Sequence, residues 1–307
     1  MPQDEPLLTE VDPVVSSSAK AGRTKMSSHG QAPAVRPPRL ITRDLGPAYL
    51  ASLVLAALVA VASAAGILLA PNGLYGRDPA LVSVFVGQDA ANLVVGIPIL
   101  LGSMWLARRG SLVGLLLWPG ALFFLLYTYA LYLVGTPFNA LFLAYVVLVV
   151  LAAYTTIGVV AGIDPDAARK RLARSPARAV GGVLVGVGLL ATLGLLALVI
   201  PALGQPASVD PLLHARWIVD FTLGNPVLFI GGVLLWRRAG LGYATAAGLL
   251  FLSGANGVAF GVGGVLGALL TQTSIDVAVI AVHLAIAAVC LAILAYFLRV
   301  AIPGGAR

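Results

Sequence analysis

The sequence predicts an all-α integral membrane protein, a helical bundle with eight transmembrane helices. Of its 307 residues, 60% are apolar and only 10% are charged, and the mean hydropathy is +0.99. Soluble proteins carry about 25% charged residues, so most of this surface faces a solvent other than water. Apolar segments of about 20 residues recur from Pro47 onward, the length that crosses a hydrocarbon core about 30 Å thick. Since lipid offers no hydrogen-bond partner to an open backbone, every such segment must be helical.

Short polar breaks separate the apolar segments and define eight predicted spans. The composition excludes a cytosolic enzyme, and no nucleic-acid partner is expected, because the net charge of +7 is explained by membrane topology. The predicted spans are 47–70, 80–106, 111–134, 138–162, 179–203, 212–236, 241–266 and 275–298.

These spans divide the chain into five parts. Residues 1–44 are rich in Ser, Pro, Ala and Gln, and are predicted to form a disordered cytoplasmic tail. Residues 45–163 and 179–301 each contain four spans. A basic segment, 164–178, is predicted to link them on the cytoplasmic side, and 302–307 is a short cytoplasmic C-terminal tail.

Basic residues indicate the orientation in the membrane. Lys and Arg collect in cytoplasmic loops. With the N-terminus inside, the outer loops contain only Arg77 and Arg216, whereas the arginine pairs and the 164–178 segment all lie inside. Both termini are therefore predicted on the cytoplasmic side of the plasma membrane.

An internal repeat relates the two halves. Each half contains four spans, so both halves point the same way, as two parallel four-helix repeats around a pseudo-twofold axis along the membrane normal. The motif Asp78-Pro79, Asp89, Pro98 and Arg108-Arg109 recurs as Asp210-Pro211, Asp220, Pro226 and Arg237-Arg238, at offsets between 128 and 132 residues.

Two acids are predicted to lie inside the membrane. Asp89 and Asp220 each fall about nine residues from the outer end of a span, roughly 12 Å deep at 1.5 Å per residue. A carboxylate at that depth costs at least about 2.5 kcal/mol, so it is expected to face the bundle interior or a wet cavity. The repeat places the two acids across the pseudo-axis, where one shared proton is expected.

Further polar residues are predicted at a similar depth. Together with the two acids they predict a polar pocket in the outer half of the membrane that binds a small-molecule solute or a proton. Amide side chains also join neighbouring helices, Tyr129 and Tyr132 also suit an interfacial aromatic belt, and a lone histidine also serves in packing. The candidate binding residues are Gln88, Asp89, Asn92, Tyr127, Asp220, Asn225, Asn256 and His283.

Pro98 and Pro226 fall in the middle of their spans and are hinge candidates, because proline kinks a helix. Proline is also common in membrane helices without a hinge function, so ordinary packing is the alternative.

The sequence leaves three classes of function open. It contains no nucleotide-binding, zinc-protease, serine-esterase or dithiol motif, so no cofactor and no metal site is expected. A small-solute transporter or permease-like protein is favoured by the repeat and the intramembrane acids. A scaffold that binds a membrane protein partner or forms a homo-oligomer is the second class. The third is a membrane enzyme acting on a lipid-linked substrate through Asp89, Asp220 and His283.

Overall fold

A computed structural model describes residues 40–301 and confirms the predicted fold class. Within those residues all regular structure is helical, apart from one isolated β-bridge between Ile41 and Ile163. The helices are α1 (Gly46–Leu69), α2 (Pro79–Ala91), α3 (Ile97–Arg108), α4 (Leu112–Gly135), α5 (Phe142–Ala161), α6 (Pro165–Arg171), α7 (Ala177–Ala202), α8 (Pro211–Val219), α9 (Asn225–Trp236), α10 (Gly240–Thr271) and α11 (Val277–Ala301).

In the described part of the chain, residues 40–301, eight helical segments are long and apolar enough to cross a membrane, as predicted. The chain is therefore a multi-pass membrane protein in contact with a lipid bilayer. Five spans are the single helices α4, α5, α7, α10 and α11, and the first span is α1 extended by the 3₁₀ turn Ala70–Asn72. The second span combines α2 and α3, and the sixth combines α8 and α9.

The second and sixth spans share a local construction. Each begins with an aspartate whose carboxylate caps the helix, since Asp78 accepts from the Ala80 amide and Asp210 from the Leu213 amide. Each then passes through one π-helical turn, Asn92–Gly96 or Asp220–Gly224.

A proline follows each π-helical turn. Pro98 is the second residue of α3, and Pro226 is the second residue of α9. Proline lacks an amide hydrogen and its ring clashes with the carbonyl four residues earlier. A wider π-helical turn in front of the proline relieves that clash without breaking the span.

Helices α4 and α10 form the centre of the bundle. Helix α4 packs against α3, α5, α8 and α10, and α10 packs against α2, α4, α9 and α11. The two central helices meet at Gly120 and Gly248, where a Cβ on Gly120 would overlap the backbone of Gly248. Small residues allow such close approach of membrane helices, which lack a hydrophobic driving force for association.

Gly120→Ala is expected to lower the melting temperature of the detergent-solubilised protein, because the added methyl forces α4 and α10 apart at a cost of about 1–3 kcal/mol. Gly182→Ala in α7 is the matched control, since a Cβ there meets nothing within 4 Å. Thermal unfolding of both variants measures the difference. Equal melting temperatures would contradict the close contact.

Two segments outside the predicted spans contain ordered structure. Residues 40–44 belong to the predicted disordered tail, yet the Thr42 amide donates to the Gly162 carbonyl and the Asp164 amide donates to the Leu40 carbonyl. The predicted linker 164–178 contains α6, which packs against α10 and buries Ala167 and Ala168. Residues 1–39 and 302–307 lie outside the described residues.

Candidate functional site

A polar cavity of about 410 Å³ lies toward the end of the bundle that carries the loops 73–78, 136–141, 203–210 and 272–276, the end predicted to be extracytoplasmic. Side chains from five spans line it, and we call it the polar cavity. Its polar members are Gln88 of the second span, Tyr127 and Thr128 of the third, Asp210 and Arg216 of the sixth, Asn256 of the seventh and His283 of the eighth.

An ion pair stands at this wall. Arg216 Nε lies 3.7 Å from Asp220 Oδ2, one helical turn away, and the Tyr127 hydroxyl donates to Asp220 Oδ1 at 2.6 Å. The Asp220 side chain is 18% exposed, whereas that of Arg216 is 45% exposed. Asp220 therefore holds the guanidinium in place while leaving it accessible from the cavity.

An aromatic stack forms another part of the wall. The His283 ring lies 3.8 Å from that of Phe260, centroid to centroid, and is nearly parallel to it. The guanidinium carbon of Arg216 stands 5.9 Å from the same Phe260 ring. His283 Nδ1 is 2.8 Å from the Val279 carbonyl, which can only accept, so Nδ1 carries the proton and Nε2 remains an acceptor in the neutral ring.

A chain of hydrogen bonds leads from the polar cavity into the core. Gln88 Nε2 donates to Asn92 Oδ1 at 3.1 Å, and Asn92 Nδ2 lies 3.4 Å from both Ser63 Oγ and the Tyr129 hydroxyl. Asn92 is fully buried and joins the first, second and third spans. Its contacts are those of an amide that connects neighbouring helices.

Asp89 lies in an adjoining cluster, next to Ser63. Its side chain is 1% exposed and accepts from the Tyr75 hydroxyl at 2.5 Å and from the Tyr132 hydroxyl at 3.0 Å. Gly66 of α1 faces the same carboxylate, and a Cβ on Gly66 would overlap it and the Tyr75 hydroxyl. We call Asp89, Tyr75 and Tyr132 the tyrosine cluster. It ties the second span to the third and to the loop between the first two spans.

The Tyr75 hydroxyl is the hydrogen-bond donor that the loop 73–78 contributes to this cluster. It lies in the loop 73–78, outside the membrane-spanning segments, yet it is fully buried. Burial, followed by the neighbouring Asp89 carboxylate, raises the pKa of the Tyr75 hydroxyl far above its ordinary range. The hydroxyl therefore stays protonated and donates to Asp89.

The two intramembrane acids do not form the pair expected from the sequence. Asp89 contacts Tyr75 and Tyr132, Asp220 contacts Tyr127 and Arg216, and within residues 40–301 no hydrogen bond joins the two acids. Asp89 lies nine residues before Pro98, whereas Asp220 lies six residues before Pro226. Asp220 thus matches Asn92, and each of these two residues begins a π-helical turn. Each of the two carboxylates thus has its own set of partners.

Comparison of the chain with family models, with curated proteins and with solved structures found no match. The geometry of the site is therefore the basis for assigning a function. Within residues 40–301, no three His, Cys, Asp or Glu side chains are grouped so as to hold a metal ion.

Of the residues predicted from the sequence, Gln88, Tyr127, Asn256 and His283 line the polar cavity. Asp220 supports its wall through Arg216 and Tyr127, and Asn92 contacts Gln88 behind it. Asp89 lies in the tyrosine cluster. Asn225 begins α9, is buried, and its Nδ2 has no partner within the described part of the chain.

Sequence reasoning missed several partners. The interpretation of Tyr129 and Tyr132 as an interfacial belt is wrong, because both side chains are completely buried. Their spacing of three residues, which places them on one helix face, was the available signal. No signal pointed to Tyr75, which meets Asp89 from a loop.

Proposed function

We propose that the protein binds a small polar solute in the polar cavity and carries it across the membrane. The observation that supports this most is the convergence of charged and polar side chains from five spans on one cavity. Ionisable residues within membrane helices are costly and mark solute or ion pathways by default. A volume of about 410 Å³ is within the range of small-molecule sites.

Each wall residue of the polar cavity makes a different kind of contact with the solute. Arg216 is the partner for an anionic group of the solute, since a guanidinium matches carboxylate or phosphate geometry. Gln88 and Asn256 supply amides for further hydrogen bonds. Phe260 and His283 offer a flat stacked face. Asp220 and Tyr127 position Arg216 before the solute arrives, which lowers the ordering cost of binding.

The transport part of the proposal includes the parallel repeat. One observation supports it. The second and sixth spans, each the second span of its half, both have an aspartate cap, a π-helical turn and a following proline. Gly120 and Gly248, which contact each other, are 128 residues apart, the same offset as Pro98 and Pro226. In a twofold repeat, equivalent residues contact each other only at the pseudo-twofold axis. The contact between Gly120 and Gly248 would therefore place α4 and α10 at that axis.

Access to the polar cavity would then alternate through movement of the kinked spans, with Pro98 and Pro226 as hinges. The distribution of basic residues supports an orientation with both termini cytoplasmic in the plasma membrane and the polar cavity in the outer half.

A thermal-shift and flux experiment tests this function. The purified protein is melted with acetate, choline, alanine or glycerol, which represent an anion, a cation, a zwitterion and a neutral polyol. At least one probe bearing a carboxylate is expected to raise the melting temperature, because a ligand that binds the folded state stabilises it. The same probe, radiolabelled, is expected to enter proteoliposomes faster than protein-free liposomes.

Binding without flux would leave a solute-binding membrane protein and refute transport. The absence of stabilisation by every probe, together with a stably co-purifying partner protein, would favour the scaffold function instead.

A further inference from the structure

A second cavity, of about 580 Å³, lies at the opposite end of the bundle and shares no wall residue with the polar cavity. It runs between α5 and α9, with α4 and α10 as its floor, and we call it the apolar groove. Ile157 on one wall and Ile230 on the other are 62% and 56% exposed, so the groove opens sideways toward the surrounding lipid.

The lining of the apolar groove is poorly suited to a polar ligand. Among residues 40–301, no charged side chain lines it, and the three hydroxyls that do belong to Thr42, Thr156 and Thr245. Each hydroxyl already donates to a backbone carbonyl, that of Gly162, Ala152 and Leu241 respectively. The groove therefore presents a surface that is almost entirely hydrocarbon, in contrast to the polar cavity.

The depth of the apolar groove matches one leaflet. Along α10 its lining runs from Leu241 to Leu252, eleven residues or about 16 Å at 1.5 Å per residue. That is roughly half of a hydrocarbon core about 30 Å thick. A transmembrane helix of a partner protein needs a surface through the whole core, whereas an acyl chain needs only this length.

The entrance of the apolar groove lies at the level of the arginine pair. Leu234 and Leu241 both line the groove, and the turn between them carries Arg237 and Arg238, both exposed. Basic residues at the end of a span attract the phosphate groups of lipids. We propose that the apolar groove binds one acyl chain of a phospholipid from the leaflet on this side, with the headgroup at the level of Arg237 and Arg238.

Native mass spectrometry with added phosphatidylglycerol tests this site. After delipidation in detergent, the wild-type chain is expected to rebind one phosphatidylglycerol molecule with higher affinity than any further one. Thr156→Phe places a ring in the apolar groove and is expected to reduce occupancy of this first site at least tenfold.

Thr192→Phe is the matched control. Thr192 of α7 is also a half-buried threonine whose hydroxyl donates to the carbonyl four residues earlier, and it lines neither cavity. It is expected to bind phosphatidylglycerol like the wild type. If Thr156→Phe does not fold, Ile230→Trp fills the groove from the opposite wall and serves the same purpose.

Equal occupancy in the wild type and in the filled variant would overturn the proposal, as would the absence of a preferred first lipid. A dimer that forms in the wild type and is lost in the filled variant would show that a second copy, and not lipid, covers the apolar groove.

Discussion

Replacing Asp89 with Leu is expected to lower the melting temperature of the detergent-solubilised protein by several degrees. The substitution leaves the buried Tyr75 hydroxyl without its acceptor and removes one of the two acceptors of Tyr132, which keeps its bond to the Phe85 carbonyl. One buried unpaired hydroxyl costs about 1–3 kcal/mol. In a chain of this size each kcal/mol shifts the melting temperature by about 2–4 °C.

Burial of the Asp89 carboxylate also has a free-energy cost, which acts in the opposite direction. In the inserted but unpacked chain, however, Asp89 would face lipid, at a cost of at least about 2.5 kcal/mol. Packing gives the carboxylate two hydroxyl donors, so the tyrosine cluster relieves that cost in the folded state. The stabilising effect of the cluster is therefore expected to dominate.

Asp220→Leu is the matched control for Asp89→Leu. Asp220 also lies in a π-containing span, but its ion pair with Arg216 is partly exposed, and the Tyr127 hydroxyl that donates to it lines the polar cavity, where water can replace the lost acceptor. Pairs of that kind contribute about 0–1 kcal/mol, so its melting temperature is expected to stay near that of the wild type. If Asp89→Leu melts at or above the wild-type temperature, the Asp89 carboxylate destabilises the fold, as residues of a functional site often do.

Arg216→Gln is expected to raise the dissociation constant of a carboxylate-bearing solute at least 30-fold. Loss of one member of a charged contact inside a binding site costs about 2–5 kcal/mol, and each 1.4 kcal/mol is a factor of ten. The glutamine retains hydrogen-bonding capacity but has no charge, so the variant isolates the electrostatic contribution. Titration of the purified protein with the probe that stabilises the wild type measures the change.

Arg77→Gln provides the comparison for Arg216→Gln. Arg77 lies in the loop 73–78 at the same end of the bundle, is exposed, and does not line the polar cavity. Its substitution is expected to leave the dissociation constant unchanged. Equal loss of affinity in both variants would show a general surface-charge effect, and unchanged affinity in Arg216→Gln would remove the polar cavity from the proposed function.

Much of the fold was predictable because the bilayer imposes a property that can be read along the chain. A span needs about 20 apolar residues whatever its neighbours are, so the predicted spans 179–203 and 212–236 agree closely with Ala177–Ala202 and Pro211–Trp236. The same reasoning identified Asp89 and Asp220 as residues whose carboxylates are too costly to expose to lipid.

The partners of these acids were not predictable in the same way. A π-helical turn inserts one residue into a helical span, and one residue rotates everything beyond it by about 100°. Asp220 lies at the start of such a turn and Asp89 one turn before one, so two acids that look equivalent along the chain meet different neighbours.

The all-α class and the eight spans were predictable from the amino-acid sequence, because hydropathy and length depend on each segment separately. Which polar residues share a cavity depends on how the helices pack. The tertiary structure brought Tyr75 from a loop onto Asp89, and it placed Gln88, Tyr127, Asn256 and His283 around Arg216. Such meetings depend on helix rotation and on glycine contacts such as that of Gly120 with Gly248, which involve two segments at once.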